Sequence, residues 1–350
     1  MIIKNFSWNK NIINQGSKIK DAIRILNKNK YKIAIVVDEN NKLIGTITNG
    51  DIRRNLIKGY TKEDNLNYIV NKKSIFAKLN YSEKKITNLC IKNKIECIPL
   101  VKENKKITGI YVYKNHKKDL KKDTLFVIMA GGKGKRLLPL TKRIPKPMVK
   151  ISGKPMIEKL IMKASKEGFK NFIFSVNYLS HKIINYFQDG KKWNVKIDYL
   201  KESKPLGTIG CLAYLENLKF KNLIVVNCDV VTKLNFSDLL SFHNAHKQLA
   251  TVISVIHETK NQFGVMKTSG SRLIEMVEKP LQKNFVNGGI YVFKKNIIKN
   301  IKKNTKYDIN DLFKKIIGNK KKIIVYPLHE TWVDVGRIKE LNKAKKLNNG

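Results

Sequence analysis

Apolar and polar positions follow two rhythms along the chain. The run Ile33-Ala-Ile-Val-Val37 is followed by a polar stretch and then by Leu43-Ile-Gly45, which reads as strand, turn, strand. The same pattern returns at Cys97-Ile-Pro-Leu-Val101 and continues to Gly109, an offset of 64 residues from Ile33 to Cys97. A helix-period segment precedes each pair: Ile19, Ala22, Ile23 and Leu26 in the first copy, Ile86, Leu89 and Cys90 with Ile91 beside them in the second. A repeat of this kind buries a shared face by pairing its two units.

Beyond residue 124 the rhythm changes. Leu125–Met129, Phe172–Val176, Leu223–Asn227 and Thr251–Ile256 are strand-like, and helical patterns such as Met156–Glu167 lie between them. That alternation predicts an α/β domain with a mostly parallel sheet and helices on both faces. Lys114–Asp123 is charged and carries neither period, so it reads as a join. The expected organisation is a repeat domain over 1–115, a linker over 116–123 and an α/β domain over 124–350.

Composition narrows the class. With 42% hydrophobic residues in 350 the chain can bury real cores, and it has no apolar run of 18 residues that would span a membrane. The first residues show neither an apolar core nor a small-residue cleavage site, so no signal peptide is expected, and a cytoplasmic location follows. Cys90, Cys97, Cys211 and Cys228 form no Cys-x-x-Cys pair and read as reduced thiols. The formal net charge of +44 would suit a nucleic-acid binder. The lysines, however, are scattered through every segment and accompany abundant Asn and Ile, as a compositional bias produces, and no nucleic-acid fold motif is present. No nucleic-acid partner is expected. Tight, salt-sensitive binding to unrelated DNA would overturn that reading.

The strand Leu125–Met129 runs straight into Ala130-Gly131-Gly132-Lys133-Gly134-Lys135-Arg136. Glycines let backbone approach an anion and aim N–H groups at it, and the basic residues add charge. The spacing is neither a P-loop nor Gly-x-Gly-x-x-Gly. Pro145-Lys146-Pro147-Met148 follows, with two prolines restricting the backbone around Lys146, and then Gly153-Lys-Pro-Met156. Together these motifs resemble the sugar-phosphate nucleotidyltransferases over nearly all of Leu125–Leu347. The resemblance implies a Rossmann-like, GT-A-like fold. It implies that the loop (Ala130, Gly131, Gly132, Gly134, Lys135, Arg136) holds a nucleoside triphosphate and that Lys146 stabilises charge at the reacting phosphate. The family usually has Thr or Ser where Lys135 stands, which puts the details of the phosphate grip in question.

The strand Leu223–Asn227 runs on to Asp229, and Asp334 lies in Trp332-Val-Asp-Val-Gly336. A carboxylate at the carboxyl end of an α/β strand suits Mg²⁺, although either Asp alone also reads as a cap or turn residue. The resemblance implies that the two share a catalytic Mg²⁺. It also implies that Glu278-Lys279-Pro280 holds the sugar's phosphate through Lys279 and that Asn287-Gly288-Gly289 borders the sugar hydroxyls. Pro205-Leu-Gly207-Thr208-Ile-Gly210 would lie against base and sugar, with Gly210 on the sugar-phosphate side. Tyr307-Asp308-Ile-Asn310-Asp311 is a candidate sugar contact.

The first 115 residues, over Ile12–Tyr113, resemble a tandem pair of CBS motifs. In Gly45-Thr-Ile-Thr48-Asn-Gly-Asp51, that resemblance implies that Thr48 and Asp51 contact the ribose of a regulatory nucleotide. Asp51 reads equally as a helix-capping residue. The second copy has no Asp at the matching place. The fusion of a CBS pair ahead of the transferase resembles the guanylyltransferases that make GDP-glucosamine for legionaminic acid, which implies GTP and glucosamine-1-phosphate, with mannose-1-phosphate next. CBS modules pair face to face, implying a homodimer. A different class, a nucleotide sensor with an inactive transferase domain, is opposed by intact Asp229, Asp334, Lys146 and Lys279.

Overall fold

The computed structural model describes residues 2–3, 6–29, 31–113 and 120–348. The chain forms two compact units, Met1–Lys118 and Asp119–Gly350. Of the linker expected over 116–123, residues 116–119 lie outside the described residues. Among the described residues no helix is long and apolar enough to cross a membrane.

The first unit repeats one motif twice. Ile12–Asn14 runs parallel to Ile33–Val37, which pairs antiparallel with Leu43–Thr48. Ala77–Lys78, Cys97–Val101 and Ile107–Val112 repeat this. The copies match in detail. Each hairpin is bulged, between Val36 and Val37 in one and Leu100 and Val101 in the other. Each turns through a left-handed residue, Asn41 at φ 58° and Lys105 at φ 62°. Ile33, Ile35 and Val37 share a core with Val101, Ile107 and Ile110, so neither copy buries its sheet alone.

In the second unit seven strands run in the order Lys196–Lys201, Asn171–Val176, Thr124–Met129, Asn222–Asn227, Leu281–Lys294, Ala250–Lys260, Ile323–Leu328. All neighbours are parallel except those of Leu281–Lys294, which is antiparallel on both sides. Successive side chains of a strand point to opposite faces. Phe126 and Ile128 therefore enter one core and Leu125 and Val127 the other. Helix Met156–Lys166 closes the first core with Ile157, Leu160, Ile161 and Ala164. Helix Ile309–Gly318 closes the second with Ile309, Leu312 and Ile316. Four adjacent parallel strands thus end along one edge, and the residues after them face a common crevice.

Candidate active site

The crevice is a cleft of about 400 Å³. Its walls are the continuations of those four strands: Gly131 and Gly132 after Thr124–Met129, Asn177 after Asn171–Val176, Glu202 after Lys196–Lys201, and Cys228 and Asp229 after Asn222–Asn227. Gly134, Lys135, Arg136 and Lys146 form one side, and Pro205, Gly207 and Thr208 the other.

The loop is shaped by Gly134. Its φ is +63°, and a Cβ there would lie 2.9 Å from Lys146 Cβ and 3.0 Å from Thr141 Cγ2. Thr141 donates its hydroxyl to the Gly134 carbonyl at 2.9 Å. The loop and the Pro-Lys-Pro segment are thereby locked together, and Lys146 is nearly buried. Its ammonium pairs with the Asp229 carboxylate. Arg136 lies against Gly336, where a Cβ would stand 3.4 Å from the guanidinium. Ala130 is buried beneath the loop and donates its N–H to the Ser175 carbonyl at 2.8 Å, so it supports the cleft without lining it.

Asp229 and Asp334 come together through a short antiparallel ribbon, Val230–Thr232 with Trp332–Asp334, in which Val230 faces Asp334. The Val335 N–H donates to the Asp229 carbonyl at 3.0 Å. Burial, and then the Asp229 carboxylate, push the Asp334 carboxyl up to about 6, against the pull of Lys146 and Arg136. Asp334 Oδ1 is buried with no hydrogen-bond partner among the described residues. Two crowded carboxylates, one with an orphaned oxygen, fit a hard divalent cation that takes its remaining ligands from phosphate and water. Among the described residues no cluster of three or more His, Cys, Asp or Glu side chains forms.

The wall that sequence implies for base and sugar is built across 100 residues. Thr208 donates its N–H to Asp308 Oδ1 at 3.0 Å, and its hydroxyl accepts from the Ile309 N–H at 2.8 Å. Asp308 and Asp311 form the capping box of helix Ile309–Gly318. Within the Tyr307–Asp311 segment, read as a sugar contact, Asp308 and Asp311 make these bonds. Gly207, at φ +78°, leaves no room for a Cβ, which would sit 2.7 Å from the Tyr307 carbonyl oxygen. Gly210 is buried, with its Cβ position 2.8 Å from the Thr305 carbonyl, and packs the wall without lining the cleft.

Glu278 and Lys279 are not brought to the cleft. They lie on an exposed extension, paired with each other at 3.7 Å. Asn287, Gly288 and Gly289 stand beside the site. Asn287 donates to the Tyr291 hydroxyl at 2.7 Å and accepts from the Gly289 N–H at 3.0 Å. Trp332 Nε1 donates to the Gly288 carbonyl at 2.9 Å. Gly289, at φ +68°, makes room for Asn227, whose Nδ2 would be 2.9 Å from a Cβ.

Several cleft residues carried no motif. Glu202 accepts hydrogen bonds from the Ser175 hydroxyl and, at 3.0 Å, from the Leu206 N–H. Asn177 donates to the Glu202 carbonyl at 2.6 Å. Burial pushes the Cys228 thiol well up, so it is not a nucleophile. Asn177 could be found as the polar residue that follows the apolar run Phe172–Val176, whereas Glu202 follows Lys-Ile-Asp-Tyr-Leu-Lys and carries no such signal. In the first unit, Thr48 and Asp51 form a capping box, with the Thr48 N–H donating to Asp51 at 2.8 Å and Arg54 pairing with Asp51. The matching place in the second copy, Asn115, lies outside the described residues.

Comparison with known proteins places these features. The family model described as Nucleotidyl transferase matches residues 125–349, and the CBS domain model matches residues 11–58. Mannose-1-phosphate guanyltransferase of Schizosaccharomyces pombe is 32% identical over 223 residues, covering 61% of this chain and 61% of its own. UTP–glucose-1-phosphate uridylyltransferase of Synechocystis is 30% identical over 238 residues, covering 62% and 61%. The chain thus spans about three fifths of the length of the curated relatives it matches. The crystal structure of HddC from Yersinia pseudotuberculosis complexed with GMP-PN superposes with a TM-score of 0.50 and 26% identity over 64% of this chain and 99% of that one. The strand-end cleft, with its glycine loop and paired carboxylates, lies within the matched residues 125–349, and the chain belongs to the nucleotidyl transferase family, with a CBS domain ahead of it.

Proposed function

We propose that the protein transfers a nucleoside monophosphate from a nucleoside triphosphate to a hexose-1-phosphate and releases pyrophosphate. The observation that carries this reading is the convergence of the glycine loop, Lys146, Asp229 and Asp334 at one strand-end cleft. The sugar-1-phosphate oxygen attacks the α-phosphorus in line, with no covalent enzyme intermediate. The loop N–H groups and Arg136 hold the triphosphate, and Lys146 moves from Asp229 to the phosphate that gathers charge. Asp229 and Asp334 would hold a divalent cation such as Mg²⁺, which would supply charge neutralisation to the substrate phosphates. For Lys279 to serve the acceptor's phosphate, the exposed extension that carries it must fold over the cleft.

The preferred substrates are GTP and glucosamine-1-phosphate, for GDP-glucosamine on a route to legionaminic acid, with mannose-1-phosphate the second acceptor. Glu202 supports guanine. Each oxygen of its carboxylate already accepts one hydrogen bond, from Ser175 and from Leu206, and the remaining lone pairs would accept from the paired N1–H and N2–H₂ donors of guanine, whereas uracil and thymine present one donor between two acceptors. The guanyltransferases among the relatives support the same choice. A panel of triphosphates and sugar-1-phosphates with pyrophosphate detection tests it, and turnover with UTP or dTTP alone would refute the GTP assignment. Glu202→Gln should lower the GTP-to-UTP preference by about tenfold, as loss of one good base contact does. We place the enzyme in the cytoplasm as a homodimer, with the CBS unit binding a regulatory nucleotide at Thr48 and Asp51. Light scattering and nucleotide titration of Asp51→Ala test those parts.

A further inference from the structure

The second unit carries a second concavity away from the cleft, of about 560 Å³. One wall is the outer face of helix Met156–Lys166, from which Lys159, Lys163 and Lys166, with Lys154 just before it, border the cavity. The floor is apolar: Met156, Leu160, Met162 and Val231. The facing wall is Val230–Thr232 and Asn235.

The charge here is only half balanced. Lys163 pairs with Glu167 at 3.3 Å, and Lys154 lies 3.9 Å from Glu158. Glu158 also accepts from the Tyr186 hydroxyl at 2.8 Å. Glu167 accepts from the Ser237 N–H at 3.0 Å, and Asn235 caps the Asp238 N–H at 2.8 Å, so the start of helix Phe236–His246 is already satisfied. Among the described residues neither Lys159 nor Lys166 forms a salt bridge. Burial, with Lys154 beside it, holds the Lys159 ammonium below the usual lysine range against the pull of Glu158. Lysines are abundant along the whole chain, and two others line the catalytic cleft. Here four of them ring a hollow whose size suits a small molecule.

The geometry points to an accessory binding site, between helix Met156–Lys166 and strand Val230–Thr232, for a phosphate-bearing small molecule with an apolar portion. The phosphate sits on Lys159 and Lys166 and the apolar part on the methionine-lined floor. Strand Val230–Thr232 follows Asp229 directly and pairs with the strand that ends in Asp334, so an occupant rests on the ribbon that sets those two carboxylates.

The test is calorimetric titration of the full chain with sodium tripolyphosphate in the absence of divalent cations. Lys159→Ala/Lys166→Ala should lose one binding event per chain, or weaken it about tenfold or more, as removal of two phosphate contacts does. Its melting temperature and turnover without tripolyphosphate should remain those of the wild type. Lys320→Ala/Lys321→Ala, on an exposed turn, should leave the isotherm unchanged. Identical isotherms for wild type and the first variant would overturn the site. Equal weakening by the control pair would overturn it too, reducing the effect to general surface charge.

Discussion

Gly134 couples the phosphate loop to Lys146, and its replacement by alanine should show how tightly. At φ +63° an alanine costs about 1 kcal/mol relative to glycine. The new methyl would also stand 2.9 Å from Lys146 Cβ and 3.0 Å from Thr141 Cγ2. Neither is the far end of a flexible chain, so backbone must yield, and overpacking of that kind costs about 1–3 kcal/mol. The total, roughly 2–4 kcal/mol, should lower the melting temperature of the catalytic unit by roughly 6–12 °C at about 3 °C per kcal/mol. Because the displaced group is Lys146, kcat should fall by about ten- to a hundredfold, the rate equivalent of about 1.4–2.8 kcal/mol. Gly132 is the internal control, since nothing lies within 4 Å of its Cβ position. Gly132→Ala should melt like the wild type and act only where the nucleotide enters, as a raised KM. Thermal melts and pyrophosphate release under saturating substrates separate the two. A Gly134→Ala protein with wild-type melting and kcat would refute the coupling.

Asp229→Ala should lower kcat by about a thousandfold, since it removes a proposed metal ligand and leaves Lys146 without its partner; a wild type no more active than this variant would instead favour a nucleotide sensor. Lys135→Thr should change the KM for the triphosphate several-fold and the melting temperature by less than about 2 °C, because Lys135 is exposed and its side chain is outside every core. His243 is buried against the Thr251 hydroxyl at 2.8 Å, and burial, then Lys294 and His246, lower its pKa to about 4. The neutral form belongs to the fold, so its stabilisation is complete above the unfolded value near 6.5 and is lost as pH falls toward 4, by up to about 3 kcal/mol. Urea midpoints of His243→Gln across that window should show a shallower pH slope than the wild type; an unchanged slope would refute it.

The first unit was legible in the sequence down to its turns, because its information is local. A 64-residue offset relates not only Ile33 to Cys97 but also the bulges and the left-handed Asn41 and Lys105, and each copy's strand pair is closed by a short loop that sits inside one reading window. The sheet of the second unit was legible in kind but not in order. Strand Leu281–Lys294 inserts between Asn222–Asn227 and Ala250–Lys260, antiparallel to both, and no periodicity distinguishes that from a parallel placement. Its exposed extension, which carries Lys279, is equally opaque: Leu273, Ile274, Met276 and Phe285 are apolar yet more than half exposed, against the pattern that a strand in a core would set.

The site divides along the same line. The glycine loop and Pro-Lys-Pro announce themselves because each performs its role within a few residues, and the structure adds only that they touch, through Gly134. Glu202 and Asn177 are single polar residues after unremarkable strands, and their meaning depends on two parallel strands ending level, which only the sheet decides. Asp308 shows the converse dependence. Its place in the chain suggested a sugar contact, but its Oδ1 accepts from Thr208 and its helix begins on the Thr208 hydroxyl. Gly207 admits that close approach because it has no side chain. The position of the base-side wall is therefore set from helix Ile309–Gly318, whose apolar face Ile309, Leu312 and Ile316 is anchored in the second core. A residue near the substrate in sequence motif terms acts here by fixing the wall that the substrate meets.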